Sequence, residues 1–334
     1  MQEYFWTGSY SNDGICSFCF DNEKINLLSN NSIYSNISYI TELNDMIYSV
    51  EETLKDCKTL CYDISSIHPN LINYTNNSGI GTCFVCADPT RNMLYTSNYT
   101  SGSLDVFNIN PDYSVGNLIY TKSFGTNSHL HHSFFSYDYK YLFLIDLGKD
   151  VIHCYSVDFN SAFTTLILTD VHSYFFEKGT EPRHGIIEND NKIYIVTEKK
   201  CTLEVLDFSL ANGFSPILSC SLLPFSISIE DNFTGCAIKR SNDNNYIYVS
   251  IRGNNSISVF KIEDSNIVLV QNISCYGKTP RDISFNNDES YLLCANQDSN
   301  SISLFSRNKF SGLLEFISIT TNINSPTCIY FKKD

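Results

Sequence analysis

The sequence predicts an all-β protein, a seven-bladed β-propeller of four-stranded blades whose first blade is closed by the N- and C-terminal strands. Short runs rich in Val, Ile, Tyr, Phe and Ser alternate with turns rich in Asn, Asp, Gly and Ser over the 334 residues. This alternation is typical of β-strands joined by tight turns. A unit of this kind recurs seven times with a period of about 50 residues, which is the period of known propeller blades.

The repeat is clearest in the first two strands of each unit and the turn between them. Residues 131–138 followed by 141–146 resemble residues 281–288 followed by 291–296. The turn position occurs in all seven copies, at Asp45, Thr90, Asp138, Asp190, Asp243, Asp288 and Asp334. A third strand follows each pair, for example at 103–109, and a weaker fourth strand is expected at 314–320. Each unit therefore supplies the strands of one blade.

The two ends of the chain complete each other. The chain opens on a second-strand sequence at 4–8 and ends on a first-strand sequence at 326–331. Pairing these segments closes the ring and removes the exposed strand edges that an open array of sheets would have. We therefore predict a single propeller domain over residues 1–334, without a linker.

Charge and cysteine usage restrict the functional class. With 22 Lys and Arg against 36 Asp and Glu, the net charge is −14, which disfavours general binding to nucleic acids and to anionic membranes. No apolar run has membrane-spanning length. The thirteen cysteines are scattered and the start lacks a secretory signal, so we expect buried free thiols and a cytoplasmic protein. A monomer is plausible, although the sequence does not define the oligomeric state.

Two sets of equivalent positions predict the functional site, because first strands begin and second strands end at the same face of a propeller. Seven residues before the turn positions lie Ser38, Cys83, His131, Arg183, Cys236, Arg281 and Thr327. The second strands end at Gly8, Glu51, Asn98, Asp146, Thr197, Ile251 and Asn296, and are followed by Ser9, Glu52, Tyr99, Leu147, Glu198, Arg252 and Gln297. Buried charges need a partner or a ligand, so this face is predicted to hold a pocket for an anionic or polyhydroxylated ligand.

Each candidate also has a structural interpretation. His131 is alternatively a hydrogen-bonded histidine of the channel, and Glu198 a simple partner for an arginine. Arg183 and Arg281 both follow proline, which is alternatively a feature of strand starts. Small polar residues such as Asn98 and Asp146 frequently cap tight turns. The propeller fold itself hosts both enzymes and binding scaffolds.

Short motifs at these positions resemble those of a known family. They are Asn-Tyr-Thr-Ser-Gly-Ser at 98–103, His-Leu-His at 129–131, Asp-Leu-Gly-Lys-Asp at 146–150, Pro-Arg-His at 182–184 and Ala-Asn-Gln-Asp-Ser at 295–299. In this order, over essentially the whole chain, they resemble the lactonase-type 6-phosphogluconolactonases, which are cytosolic seven-bladed propellers. The family often has Asn-Glu where this chain has Thr197 and Glu198, and Ser-Asn-Arg-Gly where it has Ile251 before Arg252.

The resemblance implies hydrolysis of the δ-lactone of 6-phosphogluconate, a phosphorylated sugar lactone of the oxidative pentose phosphate pathway, with no cofactor and no metal. The related fungal muconate-lactonizing cyclases use a similar set of residues, which indicates His131, Arg183, Glu198 and Arg252 as the catalytic residues. His131 or Glu198 would activate a water molecule, with His131 favoured, and Arg183 or Arg252 would stabilise the oxyanion. The expected substrate-binding residues are Asn98, Asp146, Arg281, Asn296 and Gln297.

Three alternatives remain open on the sequence alone. The first is a lactonase or cycloisomerase that acts on another lactone or on a muconate-like diacid. The second is a non-catalytic propeller that binds a small molecule. The third is a calcium-dependent lactonase, whose acid and amide ligands would come from Glu51, Asn98, Asp146 and Asn296.

Overall fold

A computed structural model describes residues 2–160, 165–187, 191–263 and 266–333. Within these ranges the chain forms seven four-stranded antiparallel sheets, and its one helical element is a 3₁₀ turn at Gln297–Ser299. The predicted all-β, seven-bladed propeller is therefore confirmed. The expected turn residues Asp190 and Asp334 lie outside the described ranges.

The strands are numbered β1 to β28 in chain order. Blades 1 to 3 contain β1 (Glu3–Ser9), β2 (Ile15–Asp21), β3 (Lys24–Asn31), β4 (Ile37–Leu43), β5 (Met46–Glu51), β6 (Lys58–Asp63), β7 (Asn70–Asn76), β8 (Thr82–Asp88), β9 (Met93–Asn98), β10 (Ser103–Ile109) and β11 (Val115–Ser123). Blades 4 and 5 contain β12 (Leu130–Phe135), β13 (Tyr141–Asp146), β14 (Val151–Asn160), β15 (Thr165–Phe175), β16 (Pro182–Ile187), β17 (Lys192–Thr197), β18 (Thr202–Ser209) and β19 (Gly213–Ser221). Blades 6 and 7 contain β20 (Thr234–Arg240), β21 (Tyr246–Arg252), β22 (Ser256–Glu263), β23 (Asn266–Ser274), β24 (Pro280–Phe285), β25 (Tyr291–Asn296), β26 (Ser301–Arg307) and β27 (Leu314–Thr320).

The last strand, β28 (Pro326–Phe331), closes the ring by joining blade 1. It pairs antiparallel with β1, with Ile329 opposite Thr7 and Phe331 opposite Phe5. The first strands of successive blades contact one another around a closed circle, and β28 contacts both β24 and β4. The predicted closure of the first blade by the two terminal strands is confirmed.

The apolar core lies between neighbouring blades. Between blades 1 and 2, for example, Trp6 and Ile15 pack with Ile37, Ile47 and Leu60. All thirteen cysteines are free thiols, and most of them are buried in these layers, as the sequence predicted. In the part of the chain that the structure describes, no helix has the length and apolar character needed to cross a membrane.

Candidate active site

A β-bulge interrupts the first strand of every blade at the same point. The pairing between the first and second strands of each blade skips one residue, or two in blade 6. The skipped residues include Ser38, Cys83, His131, Arg183, Cys236, Arg281 and Thr327, which we call the bulge ring. A bulge leaves its extra residue outside the strand ladder and re-aims the side chain, so the first set of predicted positions is set apart by backbone geometry.

Five members of the bulge ring bind the backbone of the next blade. The donor and acceptor atoms are Ser38 Oγ and Cys83 O at 3.0 Å, Cys83 Sγ and His131 O at 3.5 Å, Arg183 Nη1 and Cys236 O at 2.8 Å, Cys236 Sγ and Arg281 O at 3.1 Å, and Thr327 Oγ1 and Ile37 O at 2.6 Å. Within the described residues, the side chains of His131 and Arg281 make no such bond. His131 and Arg281 therefore differ from the other five members of the bulge ring, whose side chains link neighbouring blades.

The second set of positions forms a rim next to the bulge ring. In six blades the backbone N–H of the rim residue bonds the carbonyl two residues before the bulged residue, for example Glu198 to Glu181 at 2.7 Å, and in blade 6 Arg252 pairs with Thr234 in the strand ladder. In blade 1 the equivalent bond runs from Tyr10 to Ser325, at 3.0 Å. The rim therefore consists of Tyr10, Glu52, Tyr99, Leu147, Glu198, Arg252 and Gln297, and the sequence-based placement of Ser9 in this set is wrong. Ser9 is fully buried, because it is the last residue of β1 and pairs with Pro326, as Glu51 pairs with Ile37 in blade 2.

The carboxylate of Glu198 pairs with two arginines, Arg183 and Arg252. Glu198 Oε2 lies 3.3 Å from Arg183 Nε, and Glu198 Oε1 lies 2.7 Å from Arg252 Nη2. The Arg183 side chain is almost fully buried, whereas those of Glu198 and Arg252 are 23% and 19% exposed. Three of the four predicted catalytic residues are thus brought together, with a surplus of positive charge.

The fourth, His131, lies beside this cluster in a dry environment. Its ring is 5.9 Å from that of Tyr99 and 5.1 Å from that of His184, measured between centroids. Burial, and then the charges of Arg183, Arg281 and other cationic groups, hold the pKa of His131 well below its usual value. The imidazole is therefore neutral at pH 7. Its buried Nδ1 has no hydrogen-bond partner among the described residues.

A second acid–arginine cluster lies on the same face, in blades 1, 2 and 7. Glu52 Oε2 accepts hydrogen bonds from Tyr10 Oη and, at 2.6 Å, from Ser38 Oγ, and it lies 3.6 Å from Arg281 Nη2. Arg281 also donates to Tyr10 Oη, and its guanidinium stacks 4.6 Å from the centre of the Tyr10 ring. Arg281 Nη1 is 3.5 Å from Gln297 Oε1. Sequence reasoning named Arg281 and Gln297 as substrate-binding residues and placed Glu52 at this mouth without a role, but it missed Tyr10.

The structure places Asn98, Asp146 and Asn296 below the rim rather than at its surface, since all three are fully buried. Asn98 accepts from Thr82 at 2.6 Å and donates to Ser103 at 3.1 Å, and Asn296 donates to Ser303 at 2.8 Å. Asp146 Oδ1 accepts the backbone amides of His129 and Lys149, at 2.8 and 3.2 Å. Asp146 thus caps the turn after β13, as the structural interpretation expected, whereas the two asparagines bond hydroxyls of neighbouring strands.

The donor set does not favour a metal. The described residues contain no group of three or more His, Cys, Asp or Glu side chains placed to hold an ion. In the alternative calcium set, Glu51 pairs with Lys58 at 3.2 Å, and the amides of Asn98 and Asn296 are used by neighbouring hydroxyls. A hard cation needs several available oxygen ligands, whereas Glu51, Asn98 and Asn296 already bind protein partners.

Comparisons with known proteins agree with this geometry. The family model described as "Lactonase, 7-bladed beta-propeller" matches residues 4–331. A Bacillus subtilis protein named 6-phosphogluconolactonase is 27% identical, over 99% of both chains. A Formosa agariphila protein of the same name is 30% identical over 73% of this chain and 72% of its own. A crystal structure from Lactobacillus plantarum superposes with a TM-score of 0.92 at 24% identity over 100% of both chains. The chain therefore belongs to the lactonase family of seven-bladed β-propellers.

Proposed function

We propose that the protein hydrolyses the δ-lactone of 6-phosphogluconolactone to 6-phosphogluconate without a metal or cofactor. The observation that carries this proposal is a neutral, buried His131 beside two arginines that share Glu198. This set supplies a base and positive charge at one mouth of the propeller. The reaction belongs to the oxidative pentose phosphate pathway, which implies a cytoplasmic enzyme. In this proposal residues 1–334 act as a single propeller domain.

His131 is the base in this proposal. Hydrolysis begins when a water molecule loses a proton as it attacks the lactone carbonyl carbon, and an uncharged imidazole can accept that proton. The pKa of His131 is depressed by burial and by the arginines, so the base is available throughout the neutral range. Glu198 is less suited to the task because each of its oxygens already faces an arginine.

Arg252 is the better placed of the two arginines to meet the oxyanion. Arg183 is almost fully buried and its Nη1 is bonded to Cys236 O. Arg252 is more exposed and, within the described ranges, donates to no backbone carbonyl, although the buried Nε atoms of both arginines lack a hydrogen-bond partner there. A preorganised donor in a water-poor site stabilises developing negative charge more strongly than one in bulk water. The proton on His131 then returns to the ring oxygen as the C–O bond breaks.

A second candidate substrate is the unphosphorylated gluconolactone. Across the two clusters, the three arginines Arg183, Arg252 and Arg281 face the two carboxylates of Glu52 and Glu198, so the surplus of positive charge is small compared with a phosphate dianion. A structural neighbour described as the periplasmic gluconolactonase of Pseudomonas aeruginosa has a TM-score of 0.89 at 21% identity over 99% of both chains. That likeness supports the propeller fold alone. The small surplus of positive charge is what supports unphosphorylated gluconolactone as a substrate.

The test follows the loss of freshly generated 6-phosphoglucono-δ-lactone against its spontaneous rate, with and without EDTA. Glucono-δ-lactone and a muconolactone serve as parallel substrates. We expect acceleration of the phosphorylated lactone that EDTA does not change. Acceleration of glucono-δ-lactone alone would establish the second candidate. A folded protein that accelerates none of the three would contradict the proposal and favour a binding propeller.

A further inference from the structure

Glu52 is an acceptor with one oxygen committed and the other free. Its contacts with Tyr10, Ser38 and Arg281 all converge on Oε2. Within the described residues, Oε1 has no hydrogen-bond or ion-pair partner, and the side chain is 26% exposed. A carboxylate held rigidly through one oxygen, with the other facing solvent, is ready to accept hydrogen bonds from a ligand.

The two carboxylates of the site are thus built for different tasks. Glu198 uses both oxygens to hold Arg183 and Arg252. Glu52 uses one oxygen to fix Tyr10 and Arg281, and keeps the other available. A pairwise count gives the Glu198 cluster a surplus positive charge, whereas the Glu52–Arg281 pair is neutral. The Glu198 side of the mouth therefore suits an anionic centre, and the Glu52 side suits an uncharged polar group.

Tyr10 completes this neutral side. Burial, the largest influence, raises the pKa of Tyr10, so the phenol keeps its proton and donates it to Glu52. The Tyr10 ring also lies against the guanidinium of Arg281, which restricts that side chain to one orientation. Gln297 supports Arg281 from the other side, since its Oε1 lies 3.5 Å from Arg281 Nη1 and its Nε2 donates to Asp298 at 3.2 Å. Donors and a free acceptor consequently lie side by side, as adjacent hydroxyl groups require.

We infer that Tyr10, Glu52 and Arg281 form a subsite that binds the hydroxyl groups of the lactone ring and makes the enzyme selective for polyhydroxylated lactones. Glu52 Oε1 accepts from one hydroxyl, Arg281 donates to its neighbour, and Tyr10 positions both side chains. The carboxylate disfavours a second anionic group at this point, as in a diacid lactone, because like charges repel in a partly buried site. This inference rests on the proposed lactonase function.

The test compares a hydroxylated with a bare lactone. We measure kcat/KM for wild-type protein and for the variants Glu52→Gln and Tyr10→Phe. The two substrates are glucono-δ-lactone and δ-valerolactone, which has no ring hydroxyls. Because losing a partner for a charged hydrogen bond costs roughly 1.5–3 kcal/mol, we expect each variant to lose about tenfold or more with glucono-δ-lactone. With δ-valerolactone both variants should stay within about twofold of wild type. Tyr137→Phe is the matched control, since Tyr137 is 84% exposed and follows the end of β12, at the opposite end of that strand from His131.

The outcomes separate this inference from the proposed function. Equal losses on both lactones, or no loss on either, would overturn the hydroxyl subsite while leaving the lactonase intact. If wild-type protein accelerates neither of these two lactones, the proposed function is decided separately by 6-phosphoglucono-δ-lactone, and the subsite is judged by calorimetric binding of D-gluconate against 5-hydroxypentanoate. Preferential binding of D-gluconate that Glu52→Gln abolishes would support the subsite, and equal binding of the two acids would overturn it. Unchanged melting temperatures show that the variants are folded.

Discussion

The guanidinium of Arg252 lies 2.7 Å from the carboxylate of Glu198, whose other oxygen faces Arg183 at 3.3 Å. Arg183 comes from the first strand of blade 5, Glu198 from the rim of blade 5, and Arg252 from the rim of blade 6. One negative charge therefore orients two positive charges beside His131.

Glu198→Gln tests that arrangement. The amide keeps the shape of the side chain but removes the charge that offsets the repulsion between the two arginines. We expect kcat/KM for the lactone to fall by about 10 to 100-fold, the loss that follows when a positioned donor is released. Glu263→Gln, on the exposed outer part of blade 6, is the control. Unchanged kinetics in Glu198→Gln would show that the arginines hold their positions without it.

The pH dependence of kcat/KM reports the protonation of His131. Because the pKa of this imidazole lies well below its usual value, the base is already neutral at pH 6.5. After subtraction of spontaneous hydrolysis, measured from pH 5.5 to 7.5, we expect no fall in activity on crossing pH 6.5. A loss of half the activity near pH 6.5 would mean that His131 is solvated, or that another group is the base.

Buried neutral histidines make stability depend on pH. Burial, followed by Lys239 and Arg183, holds the pKa of His132 well below its usual value. The unfolded chain takes up a proton near pH 6.5 that the folded chain refuses, so the stabilising contribution is present above pH 6.5 and is lost as the pH falls below it.

His132→Gln should therefore flatten the fall in unfolding free energy between pH 6.5 and pH 5, by up to about 1.4 kcal/mol per pH unit. The measurement is urea unfolding of both proteins at each pH. Asp282, whose pKa is raised mainly by burial, contributes in the opposite direction, but it is present in both proteins. Parallel curves would show that His132 is protonated in the folded state.

The Arg307 side chain ties blade 7 to blade 6. Its Nε donates to Tyr248 Oη at 2.7 Å, and its terminal nitrogens lie 3.4 Å from Glu289 and from Asp243. Arg307→Met should destabilise the fold by about 3 kcal/mol, because it leaves the buried Glu289 carboxylate without a positive partner and with only the backbone N–H of Asn242 as a donor among the described residues. The double variant with Glu289→Gln should regain part of the loss in denaturant unfolding. A double variant less stable than Arg307→Met would show that unpaired charge is not the cause.

The fold was predictable because two features of the sequence, the alternation of strands with turns and the sevenfold repeat, indicate the same architecture. Thus β10 and β27 occupy the predicted ranges 103–109 and 314–320. The predicted set that includes His131 and Arg183 coincides with the bulge ring for the same reason: equivalent residues in every blade occupy one backbone position.

Residue contacts were less predictable than residue positions. The rim position of blade 1 was placed one residue too early, at Ser9 instead of Tyr10, because β1 extends one residue beyond the predicted strand end at Gly8. Asn98 and Asn296 lie at the predicted strand ends, but short amides reach the hydroxyls of the adjacent strand and stay buried. The link between Glu52 and Tyr10 depends on loops 42 residues apart in sequence, and only the folded ring brings them together.

The most direct measurement compares wild type, His131→Ala, Arg183→Ala and the Tyr137→Phe control in lactone hydrolysis. The loss of freshly generated 6-phosphoglucono-δ-lactone is followed against the spontaneous rate, with folding checked by circular dichroism. The account predicts that wild type and Tyr137→Phe accelerate the reaction equally and that both alanine variants lose at least about 100-fold in kcat/KM. Full activity in a folded His131→Ala variant would contradict the account, because the water would then be activated elsewhere.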